Sequence, residues 1–250
     1  MSTAMIECVG LTAGYAGVPV VRKLDIHVDA GELVAILGPN GAGKTTTLLT
    51  LAGVLAPIDG AALFCGEPVP AGRPHRVARR GLSLVPDDRS IFYGLTTREN
   101  LRLARGQRGQ DPTELVLEYF PALGDRMSLR AGLLSGGEQQ MLALGRAIAT
   151  RPKVLMVDEM SLGLAPVVVK SLMPVLRRIA TELGTAVLIV EQHIDIALRS
   201  VDRAYVLNHG DLVQEGPATE LAERRELLEA SYLGIEAGAV AAPPRPDRRV

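Results

Sequence analysis

Gly38-Pro39-Asn40-Gly41-Ala42-Gly43-Lys44-Thr45 fits the pattern G-x-x-x-x-G-K-[ST] without a mismatch. Glycines at these positions let successive backbone N–H groups turn inward around a polyphosphate. Lys44 can set a point charge against the β- and γ-phosphates, and the Thr45 hydroxyl can ligate Mg²⁺. Thr46 to Ala52 continues as a helix whose N-terminal dipole faces the same anion. These residue types at this spacing describe a nucleoside triphosphate site.

A second cluster is Asp158-Glu159, which ends the apolar run Val154-Leu155-Met156-Val157. A buried strand cannot hide two carboxylates, so both belong at its C-terminal edge, where doubly wound sheets bind ligands. There Asp158 would hold Mg²⁺, directly or through water. Glu159 would be the general base that orients a water in line with the γ-phosphate. A third cluster is Leu134-Ser135-Gly136-Gly137-Glu138. Ser135 and Glu138 make an S-x-x-E capping box for a helix over Gly137–Thr150. Two glycines in a first turn cost about 1 kcal/mol each in helix propensity. Bare backbone at a helix N-terminus is useful where another phosphate must approach closely.

The elements that must position these groups follow from hydrophobic periodicity. Leu33–Leu37 is wholly apolar and Gly38 ends the run, which predicts a strand buried on both faces, as in parallel sheets. Met5–Tyr15 has β character, and Leu24, Ile26 and Val28 alternate with Asp25, His27 and Asp29, the period of a half-exposed strand. Pro57 to Gly60 reads as a turn, Ala61–Gly66 as a strand and Gly81–Pro86 as another. Antiparallel β thus precedes the phosphate loop, and strands alternate with helices after it. Thr96 to Glu99 is a capping box for a short helix over Thr97–Arg105. A polar stretch from Gly106 to Asp111 separates it from a helix around Thr113–Phe120, closed by Pro121. A helix from about Val167 to Leu183, a strand over Thr185–Glu191, a hairpin of Ala204–Leu207 with Leu212–Gln214 and an amphipathic helix over Ala218–Leu233 complete the pattern. We read residues 1–236 as one domain, with a core of about 1–86 and 151–236 and a small helical lobe inserted at about 87–150. Residues 237–250, small, Pro-rich and charged, are expected to be disordered.

Composition narrows the partners. The 250 residues are 47% hydrophobic and 22% charged with a formal net charge of −1, so no overall positive field draws the chain to nucleic acid or anionic lipid. No apolar run approaches the ~20 residues needed to span a bilayer. The opening MSTAMIECVG lacks the basic-then-apolar layout of a signal peptide, so any membrane connection is expected through a partner. Cys8 and Cys65 lie in separate strand-like segments and are expected to be buried free thiols, as in a reducing cytoplasm.

The phosphate loop, LSGGE and an apolar strand ending in Asp-Glu, in that order, resemble the nucleotide-binding subunit of ATP-binding cassette (ABC) proteins over about residues 5–234. The resemblance implies an α/β P-loop NTPase of the ABC ATPase type, with a RecA-like core, an N-terminal antiparallel β subdomain and a small inserted helical lobe. It implies ATP and Mg²⁺ as ligands and head-to-tail pairing, so that Ser135, Gly136, Gly137 and Glu138 would face ATP held by the partner. Tyr15 matches the aromatic that stacks on adenine. Gly38 to Thr46 would cradle the phosphates, Thr45, Asp158 and Asp87 would face the metal, and Glu159, Lys44 and Gln192 would carry catalysis.

Departures from the general pattern point to a branch. Asp87 stands where the family usually has Gln, Gln192 where it has the switch histidine, and Ala165 where it has Asp. Val85-Pro86-Asp87-Asp88-Arg89-Ser90-Ile91-Phe92, with SGGEQQML, S-L-G-L-A-P and V-E-Q, is similar to the LivF-type subunit of branched-chain amino acid importers. Within that branch Asp87 is one methylene shorter than the usual Glu, and Met160 replaces a proline. The resemblance implies a second, different ATPase subunit and two permease subunits as partners at the cytoplasmic face of the membrane. It implies no direct contact with solute or nucleic acid. Urea, short amides or another amino acid remain alternative cargoes, and a catalytically weak subunit completing a partner's site is an alternative role. His193 is one residue out of register with the switch histidine and is expected to be structural or at the surface.

Overall fold

The computed structural model describes residues 4–104 and 111–224. It opens with the antiparallel hairpin β1 (Ala4–Tyr15) and β2 (Val18–Asp29). Along β1 the buried positions are Ala4, Ile6 and Cys8, then Leu11 and Ala13. Their parity changes where the register slips between Cys8 and Leu11, so a bulge keeps both halves of the strand facing one core. After β3 (Leu33–Leu37) and helix α1 (Lys44–Leu51), strands β4 (Pro57–Phe64) and β5 (Glu67–Pro68) join the hairpin in a sheet ordered β2-β1-β4-β5.

The rest of the chain builds around a second sheet. In chain order come α2 (Pro74–Arg79), β6 (Leu82–Val85), α3 (Thr97–Leu103), α4 (Thr113–Tyr119) and α5 (Gly136–Ile148). Then follow β7 (Val154–Asp158), α6 (Pro166–Leu183), β8 (Ala186–Glu191), α7 (Ile194–Leu198), β9 (Arg203–Asn208), β10 (Asp211–Pro217) and α8 (Ala218–Glu223). The sheet order is β10-β9-β3-β8-β7-β6, parallel throughout except for β10. The expected α/β architecture is therefore present, with a buried parallel sheet beside an antiparallel one.

Strand parity divides the interior in two. Leu33, Ala35 and Leu37 of β3, Leu155 and Val157 of β7, and Val187 and Ile189 of β8 face the core shared with α5 and α6. Val34, Ile36, Val154, Met156, Leu188 and Val190 face the core shared with α1 and the antiparallel sheet. A strand buried on both faces has no polar position to reveal its period, which is why these segments read as continuous apolar runs.

Three expectations need correction. Pro57 to Gly60 is not a turn but the first half of β4, pairing Pro57 with Ala13 and Asp59 with Thr12. There β5, which pairs only with Leu63 and Phe64, has not yet begun, so Pro57 sits on an edge where a missing N–H costs no ladder bond. Cys65 is half-buried in the β4–β5 turn rather than buried, whereas Cys8 is buried and both thiols are free. The short helices α2 and α7 were not anticipated, because neither is long enough to show a helical period. The predicted helix over Thr97–Arg105 ends at Leu103. Arg105, most of the polar stretch that follows it (106–110), the end of the Ala218–Leu233 helix and 237–250 lie outside the described residues.

One polar node joins the two sheets. Arg203 on β9 donates to both Glu32 carboxylate oxygens (2.5 and 3.0 Å), to the Tyr205 hydroxyl (2.8 Å) and to the His27 carbonyl on β2 (3.0 Å). Burial alone would raise the Glu32 carboxyl, but the Arg203 guanidinium and the Asp29 N–H hold it below the ordinary range. A carboxyl so depressed contributes stability above its unfolded pKa and loses it as pH falls through the folded value. Glu32→Gln is expected to lower Tm at pH 7 by roughly 2–4 °C, the shift for about 1 kcal/mol in a chain of this size. The difference should vanish as pH drops below the carboxylate range, and thermal melts of both proteins across pH 2–7 check it.

Candidate nucleotide site

β3 ends at Leu37 and α1 begins at Lys44, so Gly38 to Gly43 form the connecting loop. Gly43 has φ 100°, and a Cβ there would lie 2.3 Å from a Val21 methyl, so only glycine fits. The Thr47 N–H and hydroxyl both donate to the Gly43 carbonyl (2.9 and 3.0 Å), which stiffens the first helical turn. The Lys44 ammonium, 4% exposed, donates to the Gly38 and Pro39 carbonyls at 2.8 and 3.0 Å and lies 3.9 Å from Glu159. A cleft of about 120 Å³ opens here, lined by Asn40, Gly41, Gly43, Lys44, Thr45 and Thr46, with Val20 and Glu159 on its walls.

The parallel register brings the acidic groups to the same edge. Leu37 pairs with Glu191, Asp158 with Val190, and Val85 with Val157, so β3, β8, β7 and β6 end in one row. Asp158 is 5% exposed and its Oδ1 has no hydrogen-bond partner. Burial raises the Asp158 carboxyl; Glu159 and Asp87 add to the rise, while the Thr45 hydroxyl and Lys44 oppose it. Glu159 sits at φ 43°, its N–H donates to the Val190 carbonyl at 3.1 Å, and its Oε1 accepts from the Gln192 amide at 2.8 Å. Burial lowers Lys44, and Glu159, Asp158 and Glu191 counter that. Asp87 is exposed, and its carboxylate accepts the Asp88 N–H at 2.9 Å.

The LSGGE segment lies elsewhere. Ser135 caps α5, accepting the Glu138 N–H at 3.3 Å, while Glu138 accepts the Ser135 N–H at 2.8 Å and Arg126 at 2.7 Å. These bonds hold the Glu138 carboxyl below its ordinary range. A Cβ on Gly137 would stand 2.9 Å from a Val168 methyl on α6, so packing within the chain also calls for glycine there. Neither these residues nor Tyr15, exposed at the β1–β2 turn, line the cleft. His193 is exposed and precedes α7, away from the position that Gln192 takes.

Sequence reasoning passed over three residues that the structure gathers here. Arg89 donates to Gln140 and Gln139 at 3.0 Å each and to the Leu162 carbonyl at 3.4 Å, tying the segment after β6 to α5 and to the loop after β7. Glu191, 2% exposed, holds Ser161. Val20 supplies an apolar wall of the cleft. Arg89 and Glu191 were both within motifs, but their partners lie 30 or more residues away, and no local pattern names them.

A family model described as ABC transporter matches residues 21–161. The branched-chain amino acid transport ATP-binding protein BraG of Pseudomonas aeruginosa is 38% identical over 88% of this chain and 95% of its own length. A protein described as the probable LivF of Archaeoglobus fulgidus is 32% identical over 92% of this chain and 99% of its own. The lipopolysaccharide export ATP-binding protein LptB of Escherichia coli is also 32% identical, over 92% and 98%. An ABC transporter ATP-binding cassette solved in its ADP conformation superposes with a TM-score of 0.81 at 23% identity, covering 93% of this chain and all of that one. Cassette cbiO1 of Clostridium perfringens gives 0.79 at 24% identity over 93% of this chain and 96% of its own. A phosphate loop and an Asp-Glu strand end on one sheet edge, in a chain that matches this family along most of its length, mean that it belongs to the ABC transporter ATPases.

Proposed function

We propose that this ATPase energises an importer for branched-chain amino acids, working at the cytoplasmic face of the membrane against permease subunits. The observation that supports the catalytic part is that Lys44 and Glu159 line one cleft at the C-terminal edge of the parallel sheet, with Gln192 bonded to Glu159 and Asp158 at the adjoining strand end beside Thr45. Gly38 to Thr46 cradle the phosphates, Lys44 shifts from loop carbonyls to phosphate oxygens, and Glu159 takes the proton of the attacking water. Gln192 orients Glu159 and can donate to the γ-phosphate, although an amide cannot carry an imidazolium charge. Tyr15, 49% exposed, is free to stack on a base.

The donor set suits Mg²⁺. Asp158 offers a buried oxygen with no protein partner, Thr45 offers a hydroxyl beside it, and Asp87 adds charge from the segment after β6. Magnesium is usually held by one or two carboxylates together with substrate phosphates. Bound there, the ion would neutralise charge developing on the β- and γ-oxygens.

Ser135, Gly136, Gly137 and Glu138 contact ATP of a partner subunit, in keeping with their absence from the lining of this chain's own cleft. That partner is a second, different ATPase subunit, and two permeases complete the assembly. Among the described residues no helix is long and apolar enough to cross a membrane. The permease docks on the helical lobe, about residues 87–150. Exposed Phe92 and Tyr93 stand there, and a groove of about 270 Å³ lies beside Arg146, whose guanidinium rests over the Phe92 ring and whose Nη1 has no hydrogen-bond partner. An acidic group on a short permease helix would complement Arg146. The cargo rests on the two relatives named for branched-chain amino acid transport. The lipopolysaccharide export relative favours a second reading, an exporter subunit.

Glu159→Gln is expected to cut ATP turnover by about 100-fold or more while leaving ATP affinity within a few-fold, the loss typical of a missing general base. Steady-state hydrolysis with nucleotide-binding titrations checks this, and full turnover in the variant would remove Glu159 from the mechanism. Replacing Asp87 by Gln and Gln192 by His together is expected to speed single-turnover hydrolysis severalfold, since the change removes an anion near the γ-phosphate and restores an imidazole. Unchanged single-turnover rates would sink that expectation. Cells lacking the chain should lose uptake of labelled leucine; unaffected uptake with a defective envelope would favour the exporter.

A further inference from the structure

Glu191 ends β8 and is 2% exposed, and beyond its Coulombic influence on Lys44 it has no role in the chemistry described so far. Its Oε1 accepts the Ser161 N–H at 3.1 Å and its Oε2 accepts the Ser161 hydroxyl at 2.6 Å. Ser161 lies in the turn Glu159-Met160-Ser161-Leu162, which the Leu162 N–H closes on the Glu159 carbonyl at 3.0 Å. Glu159 begins that turn at φ 43°, a conformation that a non-glycine residue keeps only where its surroundings over-determine it. Those surroundings come from the end of β8. The Val190 carbonyl takes the Glu159 N–H, Gln192 grips the Glu159 side chain, and Glu191 grips the turn two residues on. Met160, the second residue of the turn, lacks the ring that would fix φ there if it were proline. The restraint falls on Ser161 instead.

We infer that Glu191 is a positioning residue for hydrolysis: by clasping Ser161 it holds the turn that aims Glu159 at the attacking water. The inference rests on Glu159 being the base. Glu191 acts through its two acceptor oxygens, and its charge is incidental. Glutamine in its place would keep both bonds: its Oε1 accepts the Ser161 N–H while its Nε2–H donates to Ser161 Oγ, the hydroxyl reversing its role. Alanine would remove both acceptors and leave the Ser161 N–H without one.

The test measures kcat, ATP affinity and amide exchange of Ser161 in full-length Glu191→Ala and Glu191→Gln, with Glu159→Gln as control. Glu191→Ala is expected to lose kcat by about tenfold or more through misplacement of the base, with the ATP dissociation constant within about twofold and Ser161 exchange accelerated. Glu191→Gln should keep most of kcat and the slow exchange. Ser161→Ala, which loses the hydroxyl bond alone, should fall between them, and adding it to Glu191→Ala should cost nothing further. Should Glu191→Ala fail to fold, Ser161→Ala and Glu191→Gln carry the comparison. A chain that needs its partner for turnover still reports through Ser161 exchange. Wild-type kcat and exchange in Glu191→Ala would overturn the inference. Equal losses in Glu191→Gln and Glu191→Ala would also overturn it, by assigning the effect to charge, as would a parallel loss of ATP affinity. If Glu159→Gln keeps full turnover, the base assignment falls instead.

Discussion

Parallel strands that share one register must end at one edge, and here that edge receives Gly38, Asp158, Glu159 and Glu191. Leu37, Val190 and Val157 are each fully buried, and the residues just beyond them are Gly38, Glu191 and Asp158. Desolvation forbids such groups from the strand interiors, so the sheet ends where chemistry begins. The antiparallel sheet and the helices then serve to bury the two faces. Strand parity sends Leu33, Ala35 and Leu37 into one core and Val34 and Ile36 into the other. A one-residue slip of β3 against β8 would exchange those faces and move Gly38 off the row at once.

The same edge sets up an electrostatic imbalance. Asp158, Glu159 and Glu191 all act on the Lys44 ammonium, and Asp87 acts on Asp158. Burial raises the carboxyls of Asp158 and Glu191, because desolvation disfavours the charged form of each. A site with more carboxylate than ammonium repels a polyphosphate unless a cation accompanies it. The Oδ1 of Asp158, which has no hydrogen-bond partner, and the neighbouring Thr45 would suit such a cation, whereas Lys44 alone would leave like charges facing each other.

What could be read in the sequence was what is fixed by local spacing. The loop from Gly38 to Thr45, the Asp158-Glu159 pair and the box from Ser135 to Glu138 each lie within a few consecutive residues, and the strands leading into the first two are apolar. The meeting of loop and acid pair on one edge followed from strand polarity alone. What escaped was set by pairing between distant segments. Pro57 reads as a turn former, but β5 stops short of it and leaves a tolerant edge. Glu191 reads as a strand end, and only the β7–β8 register reveals Ser161 opposite it. Gly137 reads as bare backbone for a phosphate, yet Val168 of α6 already occupies the space a side chain would need.

Arg89 shows how the edge is tied to the rest of the molecule. It stands at φ 64° and is followed by Ser90 at φ 45°, two left-handed residues in a row just beyond β6. Asp88 holds that bend by accepting the Ser90 N–H and hydroxyl at 2.9 and 2.8 Å. The guanidinium thereby reaches Gln139 and Gln140 on α5 and the Leu162 carbonyl in the turn that begins at Glu159. Lysine could not replace it, because a point charge on a flexible stem cannot serve three acceptors in fixed directions. Phe92, three residues on, stacks on Arg146 from the following turns of α5. The segment carrying Phe92, the helix that begins at the capped glycines and the turn that carries Glu159 therefore meet through the Arg89 guanidinium and the Phe92–Arg146 contact.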